Sequence, residues 1–332
     1  MRSPPNFFIV GAARAGTTSF ASYLRCHPDV YMCPVKEPHF FASEVDPDRF
    51  RDDFPRQMDP REYLETRPLR PTHCVYIREL RHYEALFEAV THERAVGEAS
   101  VSYLYSGTAA RRIREASPDA RILVLLRNPI DRAYSHYLMD HHEMAVSLSD
   151  FVEDVARDNA SPYKGWGISN LYVELGLYFE QVKRFLDVFP GEHVKILFFD
   201  DYRANWPQAI ADVLRFLGIP EHPRDAADHE KLNSARRTAR LPSIASSLRG
   251  SAIGRIARKL PFELKRTIWT FASRAPEPLT VEVRRELAGY FQDDVYKLSS
   301  LVQRDLTHWV DARQNERIAH PAPSVGPAHL RG

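Results

Sequence analysis

The chain has few cysteines, and charge of neither sign is in excess. Its 332 residues contain three cysteines, Cys26, Cys33 and Cys74. This number and spacing exclude a disulfide framework and a zinc knuckle, so we expect buried, reduced thiols. Lys and Arg number 45 against 44 Asp and Glu, a net charge of +1. That balance argues against nucleic acid or a membrane surface as a partner, and it makes any anion site local.

Long hydrophobic runs are also missing. Apolar stretches such as residues 122–126 fall far short of the ~18 residues that a membrane-spanning helix needs, so no transmembrane segment is predicted. Residues 1–6 contain two prolines and lead directly into an apolar strand, without the hydrophobic stretch of a secretory signal. We therefore expect a cytoplasmic protein. Its composition, 44% hydrophobic and 27% charged, is typical of a globular chain.

The clearest motif is FFIVGAARAGTT at residues 7–18. Its first four residues are apolar and β-preferring, as expected for a central parallel strand. Gly11 and Gly16 let the backbone bend sharply, so its N–H groups can approach a ligand. A helix follows, and its N terminus favours an anionic phosphate. The segment predicts a phosphate-binding loop.

Strand and helix patterns alternate along the rest of the chain. Residues 121–126, RILVLL, predict a second buried strand, and Asn128 and Pro129 suit the start of a helix that runs to about His141. Further patterns predict strands at 95–96 and 194–199 and helices over 80–90, 109–116, 170–189, 210–217 and 281–301. The alternation predicts an α/β fold, a three-layer α/β/α arrangement with a mostly parallel central sheet and a P-loop-like phosphate-binding loop.

We expect a single domain over residues 1–311, with Trp309 anchoring the end of the last helix. Residues 46–72 and the basic segment 225–266 are predicted lid or substrate loops. Residues 312–332 carry three prolines and are a predicted disordered tail.

The loop itself departs from a nucleoside-triphosphate site. GAARAGTT has the Gly-x4-Gly spacing, but Thr17 stands where such a loop has its lysine. A metal-holding Asp after a strand is also missing, which argues against kinase or GTPase chemistry. Arg14 lies inside the loop instead and suggests charge stabilisation of a transferring group without a metal. A P-loop nucleotide kinase and a non-catalytic nucleotide-binding protein remain the alternatives.

Three motifs together resemble the sulfotransferase superfamily: GAARAGTT, then KEPHFF at 36–41, then LLRNPIDRAYSHY at 125–137. The resemblance extends over about residues 6–309. It implies 3′-phosphoadenosine 5′-phosphosulfate as co-substrate, with no metal. It also implies direct in-line transfer of sulfonate to a hydroxyl of a carbohydrate, glycolipid or small-molecule acceptor. Neither the acceptor's identity nor an oligomeric state follows from these motifs.

The resemblance also implies a donor site with two ends. The first loop would hold the 5′-phosphosulfate, whereas Arg127 and Ser135 would hold the 3′-phosphate. Many family members have lysine at Arg14, and an arginine there would act as an electrostatic clamp. Arg236 and Arg237 either close over the 3′-phosphate or form a solvated charge run. The loop residues of this expected site are Arg14, Ala15, Gly16, Thr17 and Thr18.

The acceptor hydroxyl needs a base, because it is a poor nucleophile until its proton is removed. KEPHFF resembles the matching segment of heparan-type glucosaminyl sulfotransferases, which implies Glu37 as the base. His39 is the second candidate. Lys36 would neutralise the sulfonate or bind an anionic acceptor. The alternative for Glu37 is a structural ion pair with Lys36 or a loop arginine.

Other polar residues allow a structural interpretation beside a functional one. Glu98 at a strand end is either an active-site carboxylate or a structural hydrogen-bond acceptor. Arg127 alone would also suit a structural strand-end charge. His136, His141 and His142 do not fall on one helical face, so they predict a solvated helix surface and no metal site.

Overall fold

The computed structural model describes residues 5–51, 58–141, 147–221 and 277–311. Its main sheet is entirely parallel, with five strands in the order Val30–Met32 (β2), Ala95–Ala99 (β5), Phe7–Gly11 (β1), Arg121–Leu126 (β6) and Val194–Phe198 (β7). A second, two-stranded parallel sheet joins Val35–Lys36 (β3) to Thr72–His73 (β4). This arrangement confirms the predicted α/β fold with a mostly parallel central sheet.

Helices flank the sheet and connect its strands. Within the described residues, single turns of 3₁₀ helix lie at Pro47–Arg49, Glu174–Gly176, Gly191–His193 and Thr307–Trp309. The α-helices are Thr17–Leu24 (α1), Pro60–Glu65 (α2), Leu80–Ala85 (α3), Ser102–Tyr105 (α4), Ala109–Ala116 (α5), Pro129–Asp140 (α6), Leu148–Ala160 (α7), Tyr178–Val188 (α8), Phe199–Ala204 (α9), Trp206–Leu217 (α10) and Val281–Val302 (α11).

The central strands are buried on both faces, as their sequences predict. Every residue of β1 is buried, and so are five of the six residues of β6. Gly97 lets β5 lie close to the Phe7 side chain, because a Cβ at this glycine would overlap the Phe7 ring. The strand predicted at 95–96 is longer in the structure and continues through Ala99.

Strand order places the ends of β1 and β6 at a topological switch point. These strands are neighbours, but β1 leads through α1 to β2 at one edge of the sheet, whereas β6 leads to β7 at the other. Their connections therefore diverge and leave a crevice at the carboxyl ends of the strands. Open α/β sheets bind ligands in such crevices.

The helix predicted over 170–189 is shorter in the structure, where α8 begins at Tyr178. The Asp158 carboxylate accepts hydrogen bonds from the backbone N–H groups of Asn170 at 2.8 Å and Tyr172 at 3.1 Å. Leu171 between them is left-handed, with φ 56°. These bonds take N–H groups that a helix would need, so the prediction of a helix from Asn170 is wrong.

Two other helices differ from prediction at one end. The helix predicted over 80–90 ends at Ala85. The helix predicted from residue 210 begins at Trp206, because the Asn205 side chain caps it by accepting a hydrogen bond from Gln208 N.

The last helix of the described chain packs against α6 and α8. Trp309 is 1% exposed and follows α11 in the last 3₁₀ turn, which confirms its predicted anchoring role. The predicted tail 312–332 and the predicted loop 225–266 lie outside the described residues. Among the described helices, none combines the length and apolar character needed to cross a membrane.

Candidate active site

The loop between β1 and α1 turns sharply at Gly16. This glycine is left-handed, with φ 82°, and a Cβ there would overlap the Tyr202 hydroxyl of α9. That hydroxyl donates a hydrogen bond to the Ala15 carbonyl. The loop is therefore fixed against α9, and the N terminus of α1, with its N–H groups at Thr17 and Thr18, stands at the crevice.

The two threonines differ in access. Thr17 is 4% exposed, so its side chain belongs to the packed interior. The Thr18 side chain is exposed at the start of α1. A ligand at the helix end can therefore meet the Thr18 hydroxyl but would meet Thr17 through its backbone N–H.

Residues predicted for opposite ends of the donor site lie together. Arg14 Nε donates to Ser135 Oγ at 3.1 Å, and Arg127 Nη1 donates to the Arg14 carbonyl at 3.1 Å. Arg14 comes from the first loop, Arg127 from the end of β6 and Ser135 from α6. The crevice between β1 and β6 therefore carries two guanidinium groups and a hydroxyl, which suits an anion.

Aromatic residues hold Arg127 in place. Its guanidinium lies over the Phe199 ring at 4.6 Å from the ring centre. The Tyr178 hydroxyl donates to the Arg127 carbonyl at 3.0 Å. The position of Arg127 is thus determined by α8 and α9 as well as by its own strand.

A third positively charged side chain, which is buried, lies one helical turn before Ser135 on α6. Arg132 is fully buried and donates from Nη2 to the Tyr172 carbonyl, while its Nη1 lies 3.4 Å from His136 Nδ1. Burial lowers the pKa of Arg132 to about 10. Burial and the Arg132 charge hold the pKa of His136 well below its usual range. His136 is therefore neutral, and the positive charge of this face of α6 is on Arg132.

A carboxylate cluster is built by the pairing of β3 with β4. In this parallel pair Lys36 lies opposite His73, and Cys74 N donates to the Lys36 carbonyl at 2.6 Å. Glu37 follows Lys36 with a left-handed φ of 72°. The residues after β3 and those after β4 consequently meet, although about 35 positions separate them in sequence.

Opposing effects act on the buried Glu37 carboxylate. Burial by itself raises its pKa, but the Lys36 ammonium, paired with Oε1, and the nearby His73 and His39 rings outweigh burial. The pKa of Glu37 is consequently well below its usual range. His73 Nε2 lies 3.5 Å from Oε1, and His39 Nε2 lies 3.6 Å from Oε2. Glu37 is therefore ionised at neutral pH.

His39 is held on three sides. Its Nδ1 lies 2.7 Å from Ser102 Oγ, and its ring stacks on Tyr76 at 4.4 Å between ring centres. The Trp166 ring lies 5.5 Å away. Burial lowers the pKa of His39 to about 4, against the attraction of Glu37. His39 is neutral at neutral pH and keeps one orientation.

Backbone hydrogen bonds tie this cluster to the main sheet. Glu37 N donates to the carbonyl of Ala99 at the end of β5, at 2.8 Å, and His39 N donates to Ser100 Oγ at 3.2 Å. Ser100 N in turn donates to the carbonyl of Ile9 in β1 at 3.1 Å. Glu37 and His39 thus lie at the carboxyl ends of the central strands, on the same side of the sheet as the first loop.

Glu98 has a structural environment. It is fully buried and accepts hydrogen bonds from Tyr83 Oη at 2.5 Å and Ser100 Oγ at 2.8 Å. Burial raises its pKa to about 7. Of the two interpretations that the sequence allowed, the geometry favours an interior hydrogen-bond acceptor.

Two surface expectations need correction. The side chains of His136 and His141 are 14% and 20% exposed and face Asp140 and Asp154, so the prediction of a solvated helix surface is wrong for both. His142 lies outside the described residues. Cys26 is exposed, contrary to the expectation of buried thiols, whereas Cys33 is buried and Cys74 is half-buried.

Several residues of the site gave no usable signal in the sequence. Tyr202 supports the first loop through the Ala15 carbonyl, and Tyr178 supports Arg127 through its carbonyl. His73 and Cys74 enter through a two-residue strand too short for a periodic pattern. Arg236 and Arg237, predicted to close over the nucleotide, lie outside the described residues.

Comparison with known proteins relates the chain to enzymes of one type. Residues 5–223 match the model described as the sulfotransferase family. The crystal structure of a sulfotransferase from Alicyclobacillus acidocaldarius is 33% identical, with a TM-score of 0.61 over 92% of this chain and 99% of that one. Human carbohydrate sulfotransferase 15 is 27% identical over 66% of this chain and 44% of its own length.

Human heparan sulfate glucosamine 3-O-sulfotransferase 6 is 28% identical over 65% of this chain and 52% of its own length. The chain thus matches about half of these human proteins. The match to the family model covers the first loop, the Glu37 cluster and the β6 to α6 segment. On these grounds the chain belongs to the sulfotransferase family.

Proposed function

We propose that the chain transfers a sulfonate group from 3′-phosphoadenosine 5′-phosphosulfate to a hydroxyl of a carbohydrate or glycolipid acceptor. The observation that carries this proposal is the meeting of Arg14, Arg127 and Ser135 at the crevice, on the side of the sheet where Glu37 lies. The similarity to a human carbohydrate sulfotransferase and a human heparan sulfate glucosamine 3-O-sulfotransferase supports this acceptor class.

The residues present fit the donor. A nucleotide with phosphates at both the 5′ and 3′ positions needs a cationic group for each phosphate, and the crevice carries two guanidinium groups, those of Arg14 and Arg127. The loop of residues 14–18 would hold the 5′-phosphosulfate at the N terminus of α1, where Gly16 makes the left-handed turn into the helix. Arg127 and Ser135 would hold the 3′-phosphate, with the Arg132 charge one turn behind Ser135.

In the proposed reaction the acceptor oxygen forms a bond to sulfur as the bond from sulfur to the bridging oxygen breaks. The electron pair of the broken bond stays with adenosine 3′,5′-bisphosphate, and the hydroxyl proton passes to the Glu37 carboxylate. Arg14 stabilises the charge that develops on the bridging oxygen. Because a guanidinium does not readily give up a proton, it acts as an electrostatic clamp.

Lys36 links the base to the transferring group in this proposal. In the structure its ammonium pairs with Glu37 and keeps that carboxylate a weak base. If the ammonium turns to the incoming sulfonate, Glu37 loses its strongest attraction and becomes more basic as the reaction begins. His39, the second candidate for the base, is neutral and lies 3.6 Å from Glu37 Oε2, which suits a residue that positions the carboxylate.

The test is a panel of hydroxyl acceptors with radiolabelled donor, run on the natural chain and on Glu37→Gln. We expect kcat to fall by roughly 10²- to 10⁴-fold in Glu37→Gln, the contribution of a general base. The affinity for adenosine 3′,5′-bisphosphate should not change. Glu192→Gln, at an exposed carboxylate, is the matched control and should keep full activity. Full activity in Glu37→Gln would remove Glu37 from the mechanism.

The same assay separates the alternatives. A P-loop kinase would bind Mg²⁺-ATP in preference to adenosine 3′,5′-bisphosphate, and Thr17 in place of the lysine argues against it. A non-catalytic nucleotide-binding protein would bind the bisphosphate but would transfer no label to any acceptor.

A further inference from the structure

Three side chains of unlike chemistry converge beside the predicted base. His39 Nε2 lies 3.4 Å from Cys74 Sγ and 3.6 Å from Glu37 Oε2. Ligand atoms of Glu37, His39 and Cys74 all lie within 4.8 Å of one another. A carboxylate, an imidazole and a thiol at these separations form an arrangement that can hold a metal ion.

The backbone at all three residues is unusual. Glu37, His39 and Cys74 have φ values of 72°, 56° and 64° and account for three of the six non-glycine residues with positive φ in the described chain. Such conformations are unfavourable for L-residues and concentrate at functional sites. Here they occur where the chain leaves β3 and β4, and they turn the three side chains toward one another.

The distances suit a tetrahedral ion. Zinc binds imidazole nitrogen and carboxylate oxygen at about 2.0 to 2.2 Å and thiolate sulfur at about 2.3 Å, so neighbouring ligand atoms stand about 3.3 to 3.6 Å apart. The two separations that involve His39, 3.4 and 3.6 Å, therefore need little adjustment, and the ligand atoms of Glu37 and Cys74 lie within 4.8 Å of each other. A thiolate and an imidazole select Zn²⁺ over Mg²⁺ and Ca²⁺, which prefer oxygen ligands.

The surroundings of His39 resemble those of a metal ligand. Its Nδ1 lies 2.7 Å from Ser102 Oγ, so that the other ring nitrogen faces Glu37 and Cys74. Metal-binding histidines are oriented by a hydrogen bond at the second nitrogen in this way. Stacking on the Tyr76 ring restricts the tilting of the His39 ring. No sequence pattern predicted this cluster, because Cys74 reaches Glu37 and His39 through the pairing of two-residue strands.

We propose that Glu37, His39 and Cys74 bind a thiophilic divalent cation, Zn²⁺ in particular, and that the bound ion inhibits the enzyme by occupying Glu37. On binding, the Cys74 thiol releases its proton to solvent. The carboxylate and the thiolate then balance the two charges of the ion. Lys36 pairs with Oε1, which leaves Oε2 for the metal. The inhibitory part rests on the proposed function, whereas the binding part does not.

Cobalt spectroscopy tests the site without turnover. Co²⁺ substitutes for Zn²⁺, and a thiolate ligand gives a charge-transfer band in the near ultraviolet. The chain has three cysteines in all, so such a band can come only from Cys26, Cys33 or Cys74. We expect one Co²⁺ per chain with this band in the full chain and in the control Cys26→Ser, whose natural thiol is exposed. In Cys74→Ser the band should vanish, and in His39→Gln the affinity should fall by roughly tenfold or more.

A zinc titration of the sulfonate-transfer rate then tests inhibition. Zn²⁺ should inhibit the full chain and Cys26→Ser, and it should inhibit Cys74→Ser only at concentrations roughly tenfold higher or more, each rate being compared with that variant's own metal-free rate. No thiolate band in the full chain, or an equal band in Cys74→Ser, would overturn the site. The band without inhibition would overturn the regulatory role. Absence of turnover with every acceptor would count against the proposed function, while the spectra still decide the metal site.

Discussion

At the scale of single residues, Glu37 shows how neighbouring charges set the properties of a buried carboxylate. Removal from water disfavours its ionised form, and that effect is the largest acting on it. Lys36, His73 and His39 together reverse it, so the pKa of Glu37 lies below its usual range. At neutral pH this carboxylate is ionised and can accept a proton, but it is a weak base as long as Lys36 is paired with it.

The pH dependence of activity should therefore depend on Lys36. In Lys36→Met the ammonium is gone and burial remains, so the pKa of Glu37 rises. A carboxylate base works only above its pKa, which means that the acid limb of kcat/KM should move to higher pH, by about one unit or more. The measurement is a pH profile of kcat/KM for both proteins over pH 4 to 8, a range in which the natural chain should show no acid limb from Glu37 and Lys36→Met should show one.

Lys183→Met is the control for this shift. Lys183 lies on α8, where it pairs with Asp187 on the surface. Its removal should leave the acid limb where it was. An unchanged acid limb in Lys36→Met would mean that the base is not Glu37 or that Lys36 does not control it.

Among single residues, the family resemblance implied donor-site roles for residues that follow two strand ends. Arg14, Arg127 and Ser135 were expected to serve one nucleotide, and the structure brings them into direct hydrogen-bond contact. The partners of Glu37 on β4 were not predicted. His73 and Cys74 reach it through a parallel pairing of two-residue strands, and so short a strand leaves no periodic pattern to read.

At the scale of elements, the turn from β1 into α1 depends on one glycine. Gly16 combines a left-handed backbone with contact to the Tyr202 hydroxyl. Gly16→Ala should therefore displace α9 or the loop, and we expect a loss of about 2 kcal/mol in the free energy of unfolding. Affinity for adenosine 3′,5′-bisphosphate should fall by roughly tenfold or more. Urea titration and calorimetric binding measure the two effects.

Gly218→Ala separates backbone strain from the steric contact. Gly218 ends α10 in a similar left-handed conformation, with φ 70°, but nothing lies within 4 Å of a Cβ built there. We expect this control to lose about 1 kcal/mol through the backbone alone and to bind the nucleotide normally. Equal effects of the two substitutions on nucleotide affinity would contradict the role of the Tyr202 contact.

Most strands and helices followed from local pattern, and the exceptions have a tertiary cause. The strand at 121–126 and the helix that Asn128 begins were predicted from a buried run and a cap, both of which are local features. The helix expected from Asn170 was wrong because Asp158, on α7, holds the backbone N–H groups of Asn170 and Tyr172. Apolar spacing in this segment reflects burial in an irregular loop, which periodicity does not distinguish from a helix.

At the scale of the whole molecule, sheet order explains why the candidate site residues lie on one side of the sheet. The crevice lies where the connections that follow β1 and β6 diverge. Glu37 is hydrogen-bonded to the end of β5, the other neighbour of β1. Residues from four separate parts of the sequence thus share one side of the sheet. The alternation of strands and helices predicted a parallel sheet but not its order, because order depends on which strands pair.

Trp309, near the end of the described chain, packs against residues that lie beside the crevice, although it is far from them in sequence. Trp309 is 1% exposed and contacts the rings of Tyr178 and Phe198, at 6.3 and 6.1 Å between ring centres. Its carbonyl accepts a hydrogen bond from Asn128 Nδ2 at 3.1 Å, while Asn128 Oδ1 caps α6. The same residues therefore support both the last turn of the described chain and the helix that carries Ser135.

Trp309→Ala should consequently destabilise the fold and weaken nucleotide binding together. Loss of a fully buried tryptophan costs about 3 to 5 kcal/mol, and Tyr178, which donates to the Arg127 carbonyl, loses the ring that packs against it. Tyr296→Ala, at an exposed position on α11, should change the free energy of unfolding by less than about 0.5 kcal/mol. Urea titrations with and without adenosine 3′,5′-bisphosphate measure both effects. If Trp309→Ala lowers stability but leaves the nucleotide affinity of the folded chain unchanged, the C-terminal segment supports the core alone and not the crevice.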